Sequence, residues 1–245
     1  MSQVKTGGTQ TQYGVEKTIR FLSEKPLVII CEGEDDFQFI HKYLEHLSMS
    51  NNIDVNKINK IQVNGVTNLK NFIRTCKMYS DYAYMKSFLF IRDADDNARA
   101  AISSLQDHIQ RTWNVNLDSL GNFQSSSNDD GTKVGFFIMP GLDENNEYRN
   151  GTLEDLCLDI LSVQEGNITY NDIIEKVDCH IKNMIEKRNK SFKHAPKNRL
   201  HLCFSSTDKF VGDKIGSAAK KKAFNFDSSK LTRLRAMILE MDSEK

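Results

Sequence analysis

No stretch of this chain is apolar for long. The longest apolar runs, within Ser87–Ile91 and Gly135–Met139, fall far short of the ~20 residues that a membrane helix needs. The first dozen residues, Met1–Gln12, are polar and rich in Gly, Thr and Gln. They have no apolar centre, so no secretory signal is expected. No two cysteines are spaced as CxxC, and the five present (Cys31, Cys76, Cys157, Cys179, Cys203) are an odd, scattered set. That argues against a disulfide framework or a zinc knuckle and for reduced thiols in a cytoplasmic protein. No GxGxxG motif follows the first strand, which removes a Rossmann dinucleotide site. Net charge is also absent, with 33 Lys and Arg against 33 Asp and Glu.

The zero hides a segregation. Between Asp129 and Asp178 there are 12 acids and 3 bases, a net of −9. Between Lys182 and Arg235 there are 15 bases and 4 acids, a net of +11. Two solvated helical faces would account for this, and so would a cation site beside an anion-binding surface. With 245 residues, 39% hydrophobic and 27% charged, the chain is too apolar for wholesale disorder. Its length suits one domain, or one with a modest appendage.

Four short apolar runs read as buried strands: Pro26–Cys31, Lys57–Val63, Ser87–Ile91 and Val134–Met139. They are too short and too β-branched or aromatic for helices. Helical spacing follows each of the first three: Phe37, Ile40, Leu44 and Leu47; then Leu69, Phe72, Ile73 and Cys76; then Ala98, Ala101, Ile102, Leu105 and Ile109. Gln124–Gly131 reads as a polar turn or hairpin tip. This alternation predicts an α/β fold with a mainly parallel four-stranded sheet flanked by helices. A helical C-terminal extension follows. Thr152-Leu153-Glu154-Asp155 reads as a capping box, and Tyr170–Lys187 and Leu200–Val211 read as helices with a basic linker, Phe192–Arg199, between them. A last helix carries Leu231, Leu234, Ile238 and Met241, capped by Asp227 or Ser228.

Two strands end in clustered carboxylates, Glu32 and Asp36 after the first, Asp93 and Asp95 after the third. Right-handed crossovers bring both ends to one edge of the sheet, where open α/β folds bind ligands. Carboxylates this close repel, so they need a cation or a shared proton. Oxygen ligands without His or Cys suit Mg2+ or Mn2+. Some acids have simpler uses: Asp35 and Asp96 as helix caps, Asp155 as the partner of Thr152. Glu154 is left over from that box and is free to act as a ligand. Glu32 and Asp93, at the ends of buried strands, have little structural use. Lys187-Arg188-Asn189-Lys190-Ser191-Phe192-Lys193-His194-Ala195-Pro196-Lys197 adds five Lys and Arg residues and one His in eleven positions. Such a cluster suits nucleic-acid phosphates, with Lys187, Arg188, Lys190, Lys193 and Lys197 as contacts. A solvated helix end would use it too. Aromatics are sparse there, so base stacking is not expected. His108, His180 and His201 read as surface or satisfied histidines, and Trp113 as packing.

Val28-Ile29-Ile30-Cys31-Glu32-Gly33-Glu34-Asp35-Asp36 resembles the Toprim signature of a hydrophobic strand, Glu-Gly, then an acid a turn later. Phe88-Leu89-Phe90-Ile91-Arg92-Asp93-Ala94-Asp95 looks like the Toprim Asp-x-Asp. Phe136–Pro140 followed by Gly151-Thr152-Leu153-Glu154-Asp155-Leu156 is similar to the OLD-like nuclease branch, as is the ending around Gly216–Ala219 and Phe224–Asp227. The likeness spans roughly Pro26 to Met241. It implies a Toprim-like core over 26–165, a basic helical part over 166–245 packed on it, and a flexible lead-in over 1–25. It implies Mg2+- or Mn2+-dependent cleavage of DNA or RNA, with service in phage defence. Glu32, Asp36, Asp93 and Asp95 would be catalytic and, with Glu154, would hold metal. Asp36 stands where the family often has Glu. Lys197 best matches the OLD catalytic lysine, with Lys193 second. The chain lacks the ATPase domain of many OLD nucleases, so an ATPase partner is expected, and a homo-oligomer is compatible. The alternative is a non-catalytic Toprim module that binds metal or nucleic acid or regulates such an ATPase. A haloacid-dehalogenase phosphatase also uses Asp-x-Asp, but on its first strand, and ranks last.

Overall fold

A computed structural model describes residues 10–12, 15–17, 21–50, 53–128, 131–162, 169–192 and 194–241. Two three-residue strands, Gln10–Gln12 and Val15–Lys17, pair with each other antiparallel. The main sheet has five strands: β1 (Leu27–Cys31), β2 (Ile58–Gln62), β3 (Ser87–Asp93), β4 (Gln124–Ser125) and β5 (Lys133–Met139). Their spatial order is β2-β1-β3-β5-β4, and every pairing but the last is parallel. The expected four parallel strands are present. The fifth, β4, falls where a polar turn or hairpin tip is expected, and its antiparallel pairing with β5 makes a hairpin there. Its two exposed residues pair with the start of β5 and carry no apolar pattern that would announce a strand.

Every residue of β1 is buried, as a strand covered on both faces requires. Helices α1 (Glu34–Ser50), α2 (Val66–Thr75) and α3 (Ala98–Trp113) are the crossovers. Each buries most of the face that its spacing predicts; on α1, Ile40, Leu44 and Leu47 are inward, but Phe39 is buried and Phe37 is only half-buried. Five more helices complete the chain: α4 (Leu153–Asp159), α5 (Tyr170–Arg188), α6 (Ala195–Ser205), α7 (Ile215–Lys220) and α8 (Thr232–Met241). Their apolar residues join the sheet and its crossover helices in one continuous core. No helix among the described residues is long and apolar enough to cross a membrane. All five cysteines are free, and only Cys179 is exposed.

Three local expectations need correction. Asp35 does not cap α1. The helix starts one residue earlier, and the Asp36 carboxylate instead accepts the Gly33 N–H at 2.8 Å. Asp96 does not cap α3, because Asn97 takes that place and accepts from the Ala100 N–H. The helix expected over Leu200–Val211 runs from Ala195 to Ser205. Pro196 lies in its first turn, where its fixed φ and missing N–H do no harm. Lys197 therefore sits on a helix and not in a linker. Asp155 does close the box at α4, accepting the Thr152 N–H at 2.9 Å, and Ser228 accepts from Lys230 in the turn that leads into α8.

Candidate metal and phosphodiester site

Parallel register decides which acids meet. Cys31 pairs with Ile91, and Asp93 pairs with Met139. Glu32 thus leaves β1 across from Arg92, one residue before Asp93. The Arg92 guanidinium stands 3.6 Å from Glu32, both side chains being largely buried. At that length the pair is an ion pair without a hydrogen bond, and neither Glu32 Oε2 nor Arg92 Nε has a hydrogen-bond partner.

Asp36 is one turn into α1 and only 5% exposed. Burial raises its pKa to about 7, with the charges of Glu32, Glu154 and Asp35 pushing the same way and the Gly33 N–H opposing them. Asp93 is raised well above the usual carboxylate range, first by burial, then by Asp36, Glu32 and Glu154. The N–H of Leu153, at the start of α4, donates to it at 2.9 Å and partly offsets that rise. Glu32 is raised by burial and by Asp95, and held down by Arg92. Four carboxylates, Glu32, Asp36, Asp93 and Glu154, therefore share one electrostatic neighbourhood at the C-terminal edge of the sheet.

Glu154 is not left free. The Thr152 hydroxyl donates to it at 2.8 Å, and the Lys197 ammonium lies 3.7 Å from it. Lys197 also lies 3.6 Å from Asp35, so this lysine bridges the first turns of α1 and α4. Helix α6 is held for that task by Arg199, whose guanidinium makes two 2.6 Å hydrogen bonds to Asp178 on α5. Asp95 is at the rim. Its side chain is exposed, its φ is +51°, and its carbonyl accepts from the Gly151 N–H at 2.8 Å. Gly151 has φ +131°, and a Cβ there would come 2.7 Å from the Asp155 carboxylate. Only glycine joins the Asp95 strap to the capping box without a collision. A concavity of about 350 Å3 beside the first turn of α1, lined by Asp35, Gln38 and Lys214 among others, flanks this edge.

The donor set suits a hard divalent ion, being all oxygen. The buried Glu32 Oε2, which has no hydrogen bond and only the Arg92 ion pair, is the atom that such an ion would satisfy. Among the described residues, no three His, Cys, Asp or Glu side chains stand in a metal-holding arrangement, so a metal here would require side-chain rotation.

Lys187, Arg188 and Lys190 are exposed around the end of α5, where Asn189 turns the chain with φ +49°. The Arg188 guanidinium lies 4.9 Å from the Phe192 ring. Lys193 lies outside the described residues. Of the described basic residues singled out in the sequence, only Lys197 meets the acids within salt-bridge distance. Arg92 and Thr152 lie inside the quoted motifs, but their contacts with Glu32 and Glu154 were not expected from them. Arg92 could have been noticed as a charged residue inside a run that otherwise reads as buried.

A family model described as "Protein of unknown function (DUF3226)" matches residues 26–241. The chain belongs to the DUF3226 family. No curated protein and no solved structure matches it. The family region begins at Pro26 and ends at Met241, so the acid edge and the α5–α6 basic segment both belong to this DUF3226 member's shared portion.

Proposed function

We propose that this protein is a Toprim-type nuclease that hydrolyses nucleic-acid phosphodiesters with the help of Mg2+ or Mn2+. The observation that carries the reading is the packing of Asp36 and Asp93 among other carboxylates, with both pKa values driven up. Burying like charges side by side is destabilising, and a functional edge of an α/β sheet is where such an arrangement is retained. The order of Glu32-Gly33, Asp93-x-Asp95 and Gly151-Thr152-Leu153-Glu154-Asp155, which resembles the OLD-like Toprim branch, adds support.

Glu32, Asp36, Asp93 and Glu154 would hold the metal, with Asp95 at the rim. A bound divalent ion supplies charge neutralisation for an in-line displacement at phosphorus. The chain's own residues do the positioning. Leu153 N–H fixes one Asp93 oxygen, Thr152 fixes Glu154, and Gly33 N–H fixes Asp36. Lys197 places a cation beside the acids, where it stabilises charge that develops on a phosphoryl oxygen. Lys187, Arg188 and Lys190 extend the phosphate track. Service in phage defence beside a partner ATPase, in the cytoplasm, belongs to the same proposal.

One observation favours a non-catalytic module instead. Lys197 and Arg92 already compensate Glu154, Asp35 and Glu32, as a regulatory surface would need. Nicking of supercoiled plasmid and digestion of single strands with Mn2+ separates the two. Cleavage by the wild type and none by Glu32→Ala or Asp93→Asn is expected. Binding of nucleic acid without cleavage, alone or with a partner ATPase, would give the module reading the decision.

A further inference from the structure

Crossover helices run antiparallel to the parallel strands they join. The C-terminal ends of α2 and α3 therefore lie near the N-terminal ends of the strands, away from the acid edge. β3 is seven residues long, which puts ~20 Å of strand between the two ends. There α2 and α3 pack on each other. An open concavity of about 560 Å3 lies between them, lined by Arg74, Lys77, His108, Arg111 and Thr112.

The lining has three permanent positive charges. Among the described residues no carboxylate forms an ion pair with Arg74 or Arg111. One base in the last turn of a helix is ordinary, since it offsets the dipole there. Arg74 and Arg111 each fill that role on their own helix. The dipole gives no reason for both to share one concavity with Lys77. The crowding is felt by His108, whose pKa is lowered by burial and then by Lys70, Arg111 and Arg74, with Asp107 opposing. A neutral His108 offers one ring N–H, and Thr112 offers a hydroxyl.

We propose that this concavity binds a phosphomonoester or diphosphate group, of the kind carried by a free nucleotide or by the 5′ end of a nucleic-acid strand. The charge balance selects that class. An internal phosphodiester carries one negative charge, whereas a terminal phosphate carries about two and a diphosphate more. Arg74 and Arg111 supply forked donors that match phosphate oxygens. This site is independent of the nuclease reading, because it shares no residue with the acid edge.

Trp113 gives a direct readout. It is the chain's single tryptophan, it is buried, and the Lys77 ammonium sits 5.9 Å from its ring centre. An anion that draws Lys77 changes that contact and the emission. The test titrates pyrophosphate and ADP into the full chain without divalent cations, followed by Trp113 fluorescence and calorimetry. Saturable binding is expected. Arg74→Gln with Arg111→Gln should weaken it by about tenfold or more, the equivalent of one charge-assisted hydrogen bond. Asp93→Asn should leave it unchanged. Melting curves check that the double variant folds. Proton NMR should show the His108 pKa rising when pyrophosphate is bound. Matched oligonucleotides with 5′-phosphate or 5′-hydroxyl ends separate the sources. A preference for the phosphorylated end, lost in the double variant, identifies a strand end; binding of ADP alone identifies a free nucleotide. Failure of pyrophosphate, ADP and the phosphorylated strand to bind at millimolar concentration overturns the proposal. So does binding that the double variant leaves intact, or equal binding of both oligonucleotides through the two arginines.

Discussion

The acid edge and the basic segment after α5 carry similar numbers of charges but hold them in opposite ways. Glu32, Asp36, Asp93 and Glu154 are pressed together at the end of a buried sheet, each fixed by a named partner: Arg92, Gly33 N–H, Leu153 N–H and Thr152. Lys187, Arg188 and Lys190 point into solvent around a single turn. Exposed charges are well hydrated and cost little to keep apart. Buried like charges are unfavourable, and their presence marks a site that gains from something else. Charge counts in a sequence thus say little until burial is known.

The largest expected difference between the two regions is in activity. Asp93→Asn or Glu32→Ala should lower cleavage by roughly 10³-fold or more, in line with the loss of a preorganised electrostatic group, while Asp93→Asn without metal melts at or slightly above wild type. Neutralising Lys187, Arg188 and Lys190 should leave single-turnover cleavage at saturating substrate within a few-fold. If the basic triple variant loses cleavage at saturation and the acid variants keep it, the comparison is inverted.

The second difference is in stability. Asp36 is held near 7 in the folded protein against 3.8 ordinarily, so the folded state keeps a proton that the unfolded chain has released. Stability is then full below the ordinary carboxylate pKa and falls as pH rises towards about 7. That single group is worth at most roughly 4 kcal/mol at pH 8. Asp36→Asn, which keeps an acceptor for Gly33, should remove much of the penalty and raise the melting temperature at pH 8 but not at pH 4. Saturating Mg2+ or Mn2+ should do the same for the wild type, through binding to the folded state alone. A wild-type melting curve that does not change between pH 4 and 8 would contradict this.

Lys197 lies between the two regions, since it belongs to the basic segment but touches the acids. Lys197→Ala should slow cleavage by about 10²-fold and change the melting temperature little, because its side chain is half exposed. A drop in stability without a change in rate would make it a structural bridge. Should Lys193→Ala silence the enzyme while Lys197→Ala does not, the lysine is misplaced. The smallest effect belongs to the exposed cations. Removing Lys187, Arg188 and Lys190 should flatten the salt dependence of nucleic-acid binding by up to about three phosphate contacts. An unchanged slope would make the segment a solvated surface.

Most of the acid edge was legible because strand ends are easy to find. Buried apolar runs stop abruptly at Cys31 and near Asp93, and parallel alternation puts those stops side by side. Boundaries governed by single hydrogen bonds were not legible. Asp35 and Asn97 are both good cap residues by type, and only the backbone path shows that Asn97 caps and Asp35 does not. The hairpin at β4 was legible as one of two readings of a polar stretch, but not the strand itself, because two polar residues held by pairing alone leave no hydrophobic pattern. α6 was misplaced because Pro196 reads equally as a linker residue or a helix start. The Arg92–Glu32 pair needs the register of two strands far apart in sequence, which no local motif contains.

The aromatic cluster near the C-terminus bears on how far this molecule can be cut down. Phe224 and Phe226 meet Phe39 edge-on at 6.0 and 5.5 Å, Phe226 meets Tyr43 at 5.4 Å, and Phe224 meets Phe204 at 6.2 Å. The chain beside them is stitched to the end of α4 by Ser162 N–H to Ala223 and Asn225 N–H to Ile160. Those rings and bonds brace α1, α4 and α6, the helices that carry Asp36, Glu154 and Lys197. Excising the sheet and its crossovers alone would discard α4 with Glu154 and α6 with Lys197 and leave Asp36 on an unsupported α1. A fusion partner belongs after Met241, and a protease cut ahead of Phe224 should release no working miniature.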